Sequence, residues 1–145
     1  MYKTILVPLD GSPRAETILP HVERLARCFD ATVVLLTVAE NVSTIPQSPE
    51  NQPDMYLTFA QEGRDAAQAY VKAKQGELRA MGIDVRVRVG QGPVVGAIIE
   101  IAAEENADLI AMASHGRTGL SQVFYGSVAA GVLNRVDRPL LPVRA

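Results

Sequence analysis

Five short apolar runs, separated by stretches with helical spacing, constrain this chain more than anything else in it. The first is Ile5-Leu6-Val7-Pro8-Leu9, the second spans Val33 to Val38, and the fourth spans Leu109 to Ala113. These three are almost wholly apolar, as central strands buried on both faces are. The third, Ile83 to Val89, alternates apolar residues with Asp84, Arg86 and Arg88, which predicts an edge strand with one wet face. The last, Leu140-Leu141-Pro142-Val143, holds a proline that cannot donate to a ladder and is also expected at an edge. Strands alternating with helices imply right-handed crossovers and a parallel sheet. The expected fold class is α/β: an open five-stranded parallel sheet in the order 3-2-1-4-5, with helices on both faces.

The helical stretches carry their own start and stop signals. Ser12 as N-cap and Pro13 at the first helical position predict a helix in which Ala15, Ile18, Leu19, Val22, Leu25, Ala26 and Phe29 share one stripe. Pro20 falls inside that helix and is expected to kink it. After a connection containing Pro46, Pro49 and Pro53, a long helix is expected from about Met55 to Met81. Its inner face would hold Phe59, Gly63, Ala66, Tyr70, Val71, Leu78 and Met81, with Gly82 as its stop. A third helix carries Val94, Val95, Ile98, Ile99 and Ala102, and a fourth runs from about Ser127 to Val136.

Composition narrows the class without choosing a function. With 145 residues the chain fits one domain, 1–145, and is long enough to bury a sizeable core without a staple. The single cysteine, Cys28, cannot form an internal disulfide and has no zinc-site partners in the sequence. No apolar run reaches 18 residues and no signal peptide is visible, so a soluble protein of a reducing, cytoplasmic compartment is expected. A net charge of −2 gives no reason to expect a nucleic-acid or membrane partner. The charge is uneven: five acids and one base lie between Glu40 and Asp65, whereas four arginines and one acid lie between His115 and Ala145. That asymmetry reads either as solvated surface or as a mildly positive field on the ligand side.

A ligand in such a sheet sits beyond the carboxyl ends of the strands, where the strand order reverses. Here that place lies between the loops after Leu9 and after Ala113. The second loop reads Ser114-His115-Gly116-Arg117-Thr118-Gly119, followed six residues later by Gly126-Ser127-Val128. Glycines let a ligand approach the backbone, and a helix opened by Gly126 and Ser127 presents unpaired N–H groups to an anion. The plain alternative is a turn with an ordinary N-cap. Asp10, across the switch point, either accepts hydrogen bonds from a ligand or caps the turn ahead of Ser12.

The opening Ile5-Leu6-Val7-Pro8-Leu9-Asp10-Gly11-Ser12 and the stretch from Ala113 to Ser127 resemble the universal stress protein family. Its nucleotide-binding members carry two glycines three apart, then nine residues, then Gly-Ser or Gly-Thr. In this chain Gly116, the nine residues Arg117 to Tyr125, and Gly126-Ser127 match, whereas Ala113 replaces the first glycine. The resemblance implies a Rossmann-like, adenine nucleotide alpha hydrolase-like fold and an ATP site, or one for AMP or ADP. It places Pro8, Leu9 and Asp10 along the adenosine, with Asp10 on the ribose, and Val38 against the adenine edge through its backbone. Ala113 and Gly116 would approach the ribose and phosphates, and Gly126, Ser127 and Val128 would cradle the phosphates. Arg117 is the one cation in the loop, read either as a phosphate contact or as a solvated side chain. Mg²⁺ would accompany a triphosphate. The family also implies a homodimer through the last strand, at Leu140, Leu141 and Val143.

These residues include no general base, so the expected output is regulatory or stress-related signalling with at most a weak ATPase activity. The alternatives are a nucleotide-independent interaction module, which Ala113 favours, and a slow phosphohydrolase in which Asp10 holds a metal. Gly90-Gln91-Gly92-Pro93-Val94-Val95-Gly96 is an imperfect dinucleotide fingerprint whose third glycine comes one position late, and it reads as a plain helix start. Neither a P-loop nor a Gly-x-Ser-x-Gly elbow occurs.

Overall fold

The structure, a computed structural model, describes residues 1–39, 53–114 and 127–145. The strands are β1 (Thr4–Pro8), β2 (Thr32–Ala39), β3 (Val85–Gln91), β4 (Leu109–Ser114) and β5 (Leu140–Arg144). A 3₁₀ turn (Ala15–Ile18) leads into α1 (Leu19–Phe29); the further helices are α2 (Pro53–Ala80), α3 (Val94–Glu104) and α4 (Ser127–Arg135). All strand pairings are parallel, in the order β3-β2-β1-β4-β5. The expected α/β sheet is the observed one.

Strand alternation divides the core into two layers. Ile5, Val7, Val33, Leu35, Val85 and Ala111 pack on one face with Ile18, Val22 and Ala26 of the first helical segment and Val71 and Leu78 of α2. Leu6, Val34, Leu36, Ile110 and Met112 pack on the other with Ile98 and Ile101 of α3 and Ala129 and Val132 of α4. Burial on both faces is why the three central runs carry no polar alternation.

Three local readings change. Ser12 does cap the first turn, since its Oγ accepts the Ala15 N–H at 3.2 Å. That turn is 3₁₀, however, and regular α-helix begins at Leu19, so Pro20 lies in the first turn of α1, where no intrahelical donor is lost. Pro20 therefore starts a helix and does not kink one. Met81 falls beyond α2 and is 47% exposed, off the inner face; Gly82, with φ +83°, ends the helix as expected. Of the third-helix residues, Ile98 and Ala102 are buried beside Ala97 and Ile101, but Val94 is exposed. Phe59 is outside the described side chains.

The polar face of β3 is more than wet. Arg88 donates to Glu105 Oε1 at 2.8 Å and Glu104 Oε2 at 2.6 Å, and Arg86 lies 3.2 Å from Glu105 Oε2, which ties the edge strand to the end of α3. The free edge is partly covered too, because the Val85 carbonyl accepts from Gln75 Nε2 at 2.9 Å and Arg79 Nη2 at 3.1 Å. The Gly90 position is explained by packing: a Cβ there would come within 3.1 Å of Ile101 Cδ1. Pro93 precedes α3 with extended backbone, which confirms the plain helix start.

Candidate functional site

β1 sends its chain to one face of the sheet and β4 to the other, so a cleft opens between their carboxyl ends. Its volume is about 650 Å³, within the roughly 300–1,000 Å³ of small-molecule sites. Pro8, Leu9 and Asp10 line it after β1, Val38 at the end of β2, Ala113 at the end of β4, and Val128 in the first turn of α4. Six sequence-predicted positions are thus brought together from four elements. Ser127 is the exposed first residue of α4, adjoining Val128. Gly116, Arg117 and Gly126 lie outside the described residues.

Each wall follows from local structure. The chain leaves the sheet after Pro8, with the Leu9 N–H still donating to the Leu36 carbonyl at 2.8 Å. Asp10 then turns the backbone, accepting both the Ser12 N–H at 2.9 Å and the Ser12 hydroxyl through Oδ1. Gly11, with φ +84°, supplies the left-handed step that this turn requires. Asp10 is therefore a turn cap and a wall of the cleft at once. The remaining lining is mostly apolar and small: Ala15, Ala39, Ala66, Ala67, Ile98, Met112 and Ala129 among others.

Sequence reasoning missed several lining residues: Thr37, Tyr70, Val94 and Met112. Val94 is exposed although it stands on the apolar stripe of α3, because it faces the cleft opening. Thr37 Oγ1 and Tyr70 Oη are buried and make no well-aligned hydrogen bond to the described residues, although the Glu16 carboxylate lies close to the Tyr70 hydroxyl. Burial first, then the Glu16 carboxylate, push the Tyr70 hydroxyl up to about 12, with Asp10 adding to the effect and Lys74 opposing it. Lys74 itself pairs with Glu16 and Glu77. Among the described residues no group of three His, Cys, Asp or Glu is arranged to hold a metal ion, and no helix is long and apolar enough to cross a membrane.

Two arginines of the basic final stretch, Arg135 and Arg138, stand away from the cleft. Arg138 donates to the carbonyls of Ala102 at 2.9 Å and Ala107 at 2.7 Å, closing the carboxyl end of α3, and Arg135 lies in the last turn of α4. In a parallel sheet the carboxyl ends of the helices lie opposite the carboxyl ends of the strands. Those two arginines therefore contribute no local positive field to the ligand side. A second hollow, of about 560 Å³, runs along the edge of β3 and mixes Arg64 and Arg88 with Asp65, Glu100 and Glu104.

The sheet order and a ligand-sized cleft at its switch point define an open, parallel α/β protein of the doubly wound class. Residues 1–144 match the model of the universal stress protein family, and the chain belongs to that family. It is 30% identical over 155 residues to universal stress protein MJ0577 of Methanocaldococcus jannaschii, covering 99% of this chain and 96% of that one. The solved structure of MJ0577 superposes with a TM-score of 0.84, at 28% identity, covering 100% of this chain and 97% of the other. A universal stress protein in complex with cAMP shares the fold, with a TM-score of 0.68, 23% identity, and 99% and 97% coverage. So does a family protein from Arabidopsis thaliana with AMP bound, with a TM-score of 0.69, 13% identity, and 98% and 91% coverage.

Proposed function

We propose that this chain is a single-domain, adenine-nucleotide-binding universal stress protein whose output is regulatory. The observation that carries the reading is the convergence of Pro8, Leu9, Asp10, Val38, Ala113 and Val128 on one mostly apolar cleft beside the amino terminus of α4. An apolar slot takes an adenine ring, and the positive end of a nine-residue helix takes phosphate. Family members with AMP and with cAMP support the same ligand class. Asp10 would face the ribose, Val38 would offer backbone groups to the adenine, and Ser127 and Val128 would meet the phosphates. Gly116, Arg117 and Gly126 complete the set that the family pattern assigns to the phosphate loop.

ATP, ADP and AMP are the ligands proposed, with Mg²⁺ arriving on triphosphate oxygens. Ala113 is 9% exposed and adds one methyl to the wall where the family pattern has glycine, which narrows the slot without closing it. Asp10 is occupied in holding its turn, which argues against a metal-bearing role in phosphate hydrolysis, so turnover is slow or absent. A cytoplasmic homodimer joined through β5 completes the reading; Leu140, Leu141 and Val143 are only partly buried on that edge strand.

Titration calorimetry with ATP, ADP, AMP and GTP, with and without Mg²⁺, tests the assignment. Saturable heat with adenine nucleotides and a weaker response to GTP are expected. The absence of both binding heat and a thermal shift at millimolar ATP would overturn it.

A further inference from the structure

The outer edge of β3 is open over part of its length. In a parallel strand the N–H and C=O of one residue point to the same side, and successive residues alternate. The Val33 N–H donates to the Asp84 carbonyl at 2.9 Å, so Asp84, Arg86, Arg88 and Gly90 bond inward to β2. Val85, Val87, Val89 and Gln91 therefore turn their backbone groups outward. The Val85 carbonyl, which accepts from Gln75 and Arg79, bears this out. No such bond reaches Val87 or Val89 among the described residues.

Two helices overhang this open stretch and make it a groove, the hollow of about 560 Å³ with β3 along its floor. Arg64 and Asp65 stand on its α2 side, Glu100 and Glu104 on its α3 side. The two sides differ in charge. On the α2 side Arg64 and Asp65 offset each other. On the α3 side Glu104 and Glu105 are taken by Arg88 and Arg86, at 2.6 to 3.2 Å. That leaves Glu100, one turn before Glu104, exposed and without an ion pair among the described residues. The groove thus carries one uncompensated negative charge, on its α3 side. The side chains of Val87 and Val89 face the other way, half-buried against the layer under α2.

We propose that the edge of β3 from Val87 to Gln91 docks an extended peptide segment of a partner protein. A lysine or arginine of that segment lies against Glu100, and the apolar residues on either side of it lie beside Val87 and Val89. Main-chain hydrogen bonds to the open edge hold the segment, and the two walls select its alternating side chains. The stretch spans about 17 Å, enough for a segment of about five residues. A second copy of this chain fits less well, because its own groove carries the same sign of charge and would meet its like. The groove shares no lining residue with the switch-point cleft, so the proposal stands apart from the nucleotide reading.

The probe is the blocked peptide acetyl-Ser-Val-Lys-Val-Ser-amide, titrated at millimolar concentration into isotope-labelled protein and followed by amide chemical shifts. The same peptide with glutamate in place of lysine is run beside it. Saturable shifts at Val87, Val89 and Gln91 are expected, with none at Ala113 or Val128, and roughly 3- to 10-fold weaker binding of the glutamate peptide. Glu100→Gln is expected to weaken the lysine peptide roughly 3-fold. Val89→Pro removes one outward N–H and leaves the ladder to β2 intact, at an edge where proline is tolerated; it is expected to abolish binding. Glu100→Gln, on the exposed side of α3, carries the test alone if the proline unfolds the strand. Absence of shifts at the three amides, equal binding of the two peptides, or unchanged affinity in Glu100→Gln would overturn the groove. Shifts of the same amides with protein concentration alone would also overturn it, by giving the edge to a second copy.

Discussion

Gly131 of α4 faces Val95 of α3 so closely that a Cβ on it would lie 2.8 Å from Val95 Cγ2 and 3.3 Å from Val95 Cγ1. Glycine inside a helix costs about 1 kcal/mol relative to alanine. Its presence here is explained by the approach of the two helices, both of which begin at the mouth of the cleft. Val95 is β-branched and cannot swing aside easily. Gly131→Ala is therefore expected to destabilise by about 1–2 kcal/mol net, overpacking outweighing the gain in helix propensity. Urea unfolding measures the difference, and a more stable variant would contradict the packing argument.

Arg138 closes α3 through its two carbonyl contacts. Arg138→Met keeps the apolar stem and removes both bonds, for an expected loss of about 1–3 kcal/mol. Because Arg138 stands at the end of the sheet away from the cleft, nucleotide affinity is expected to stay the same. Denaturant melts and calorimetry on one preparation separate the two effects. A matching fall in affinity would mean that the charge reaches the site.

Tyr70 gives the alkaline stability profile a definite sign. Its hydroxyl is held protonated up to about 12, against an ordinary value near 10, by burial and by Glu16. The folded state thus holds the proton more tightly than the unfolded chain does. The associated stability is fully present below pH 10 and is lost as pH rises toward 12. Thermal midpoints of the parent and of Tyr70→Phe are expected to keep a constant offset up to about pH 10. Above that the parent falls faster. Parallel profiles through pH 12 would place the hydroxyl in a more open setting.

The edge strand β5 bears on assembly. Leu141 pairs in register with Ala111 and packs partly against the layer under α1 and α2, while its edge looks outward. In the proposed homodimer that edge meets its copy. Leu141→Lys is expected to convert a sedimenting dimer to monomer. A thermal melt checks that the variant is folded, and a retained dimer would place the contact elsewhere.

The architecture was legible because two periodicities carry it. Apolar runs without alternation marked β1, β2 and β4 as central, and the alternation in β3 and the proline in β5 marked the edges. Half of the cleft was legible for a related reason: strand order alone fixes which loops meet. Pro20 was misread because a proline shows only that a donor is missing, and the 3₁₀ turn that makes this harmless leaves no periodic trace. Thr37 and Tyr70 were hidden differently. A threonine in an apolar run reads as strand filler, and a tyrosine on a helical stripe reads as core. What distinguishes them is a place on the cleft wall, which exists only once β2 and α2 have packed.

The central claim, that phosphate is seated at the amino terminus of α4, is tested most directly by Ser127→Asp. Ser127 is exposed and opens the helix, where an added carboxylate stabilises by about 0.3–1 kcal/mol. The same carboxylate would occupy the phosphate seat. Calorimetric titration of this variant with ATP and with adenosine is the decisive measurement. We predict ATP affinity reduced by roughly 10-fold or more, a fall of about 1.4 kcal/mol or greater, with adenosine binding retained and the unliganded midpoint unchanged or higher. ATP bound as tightly as by the parent protein would contradict the account.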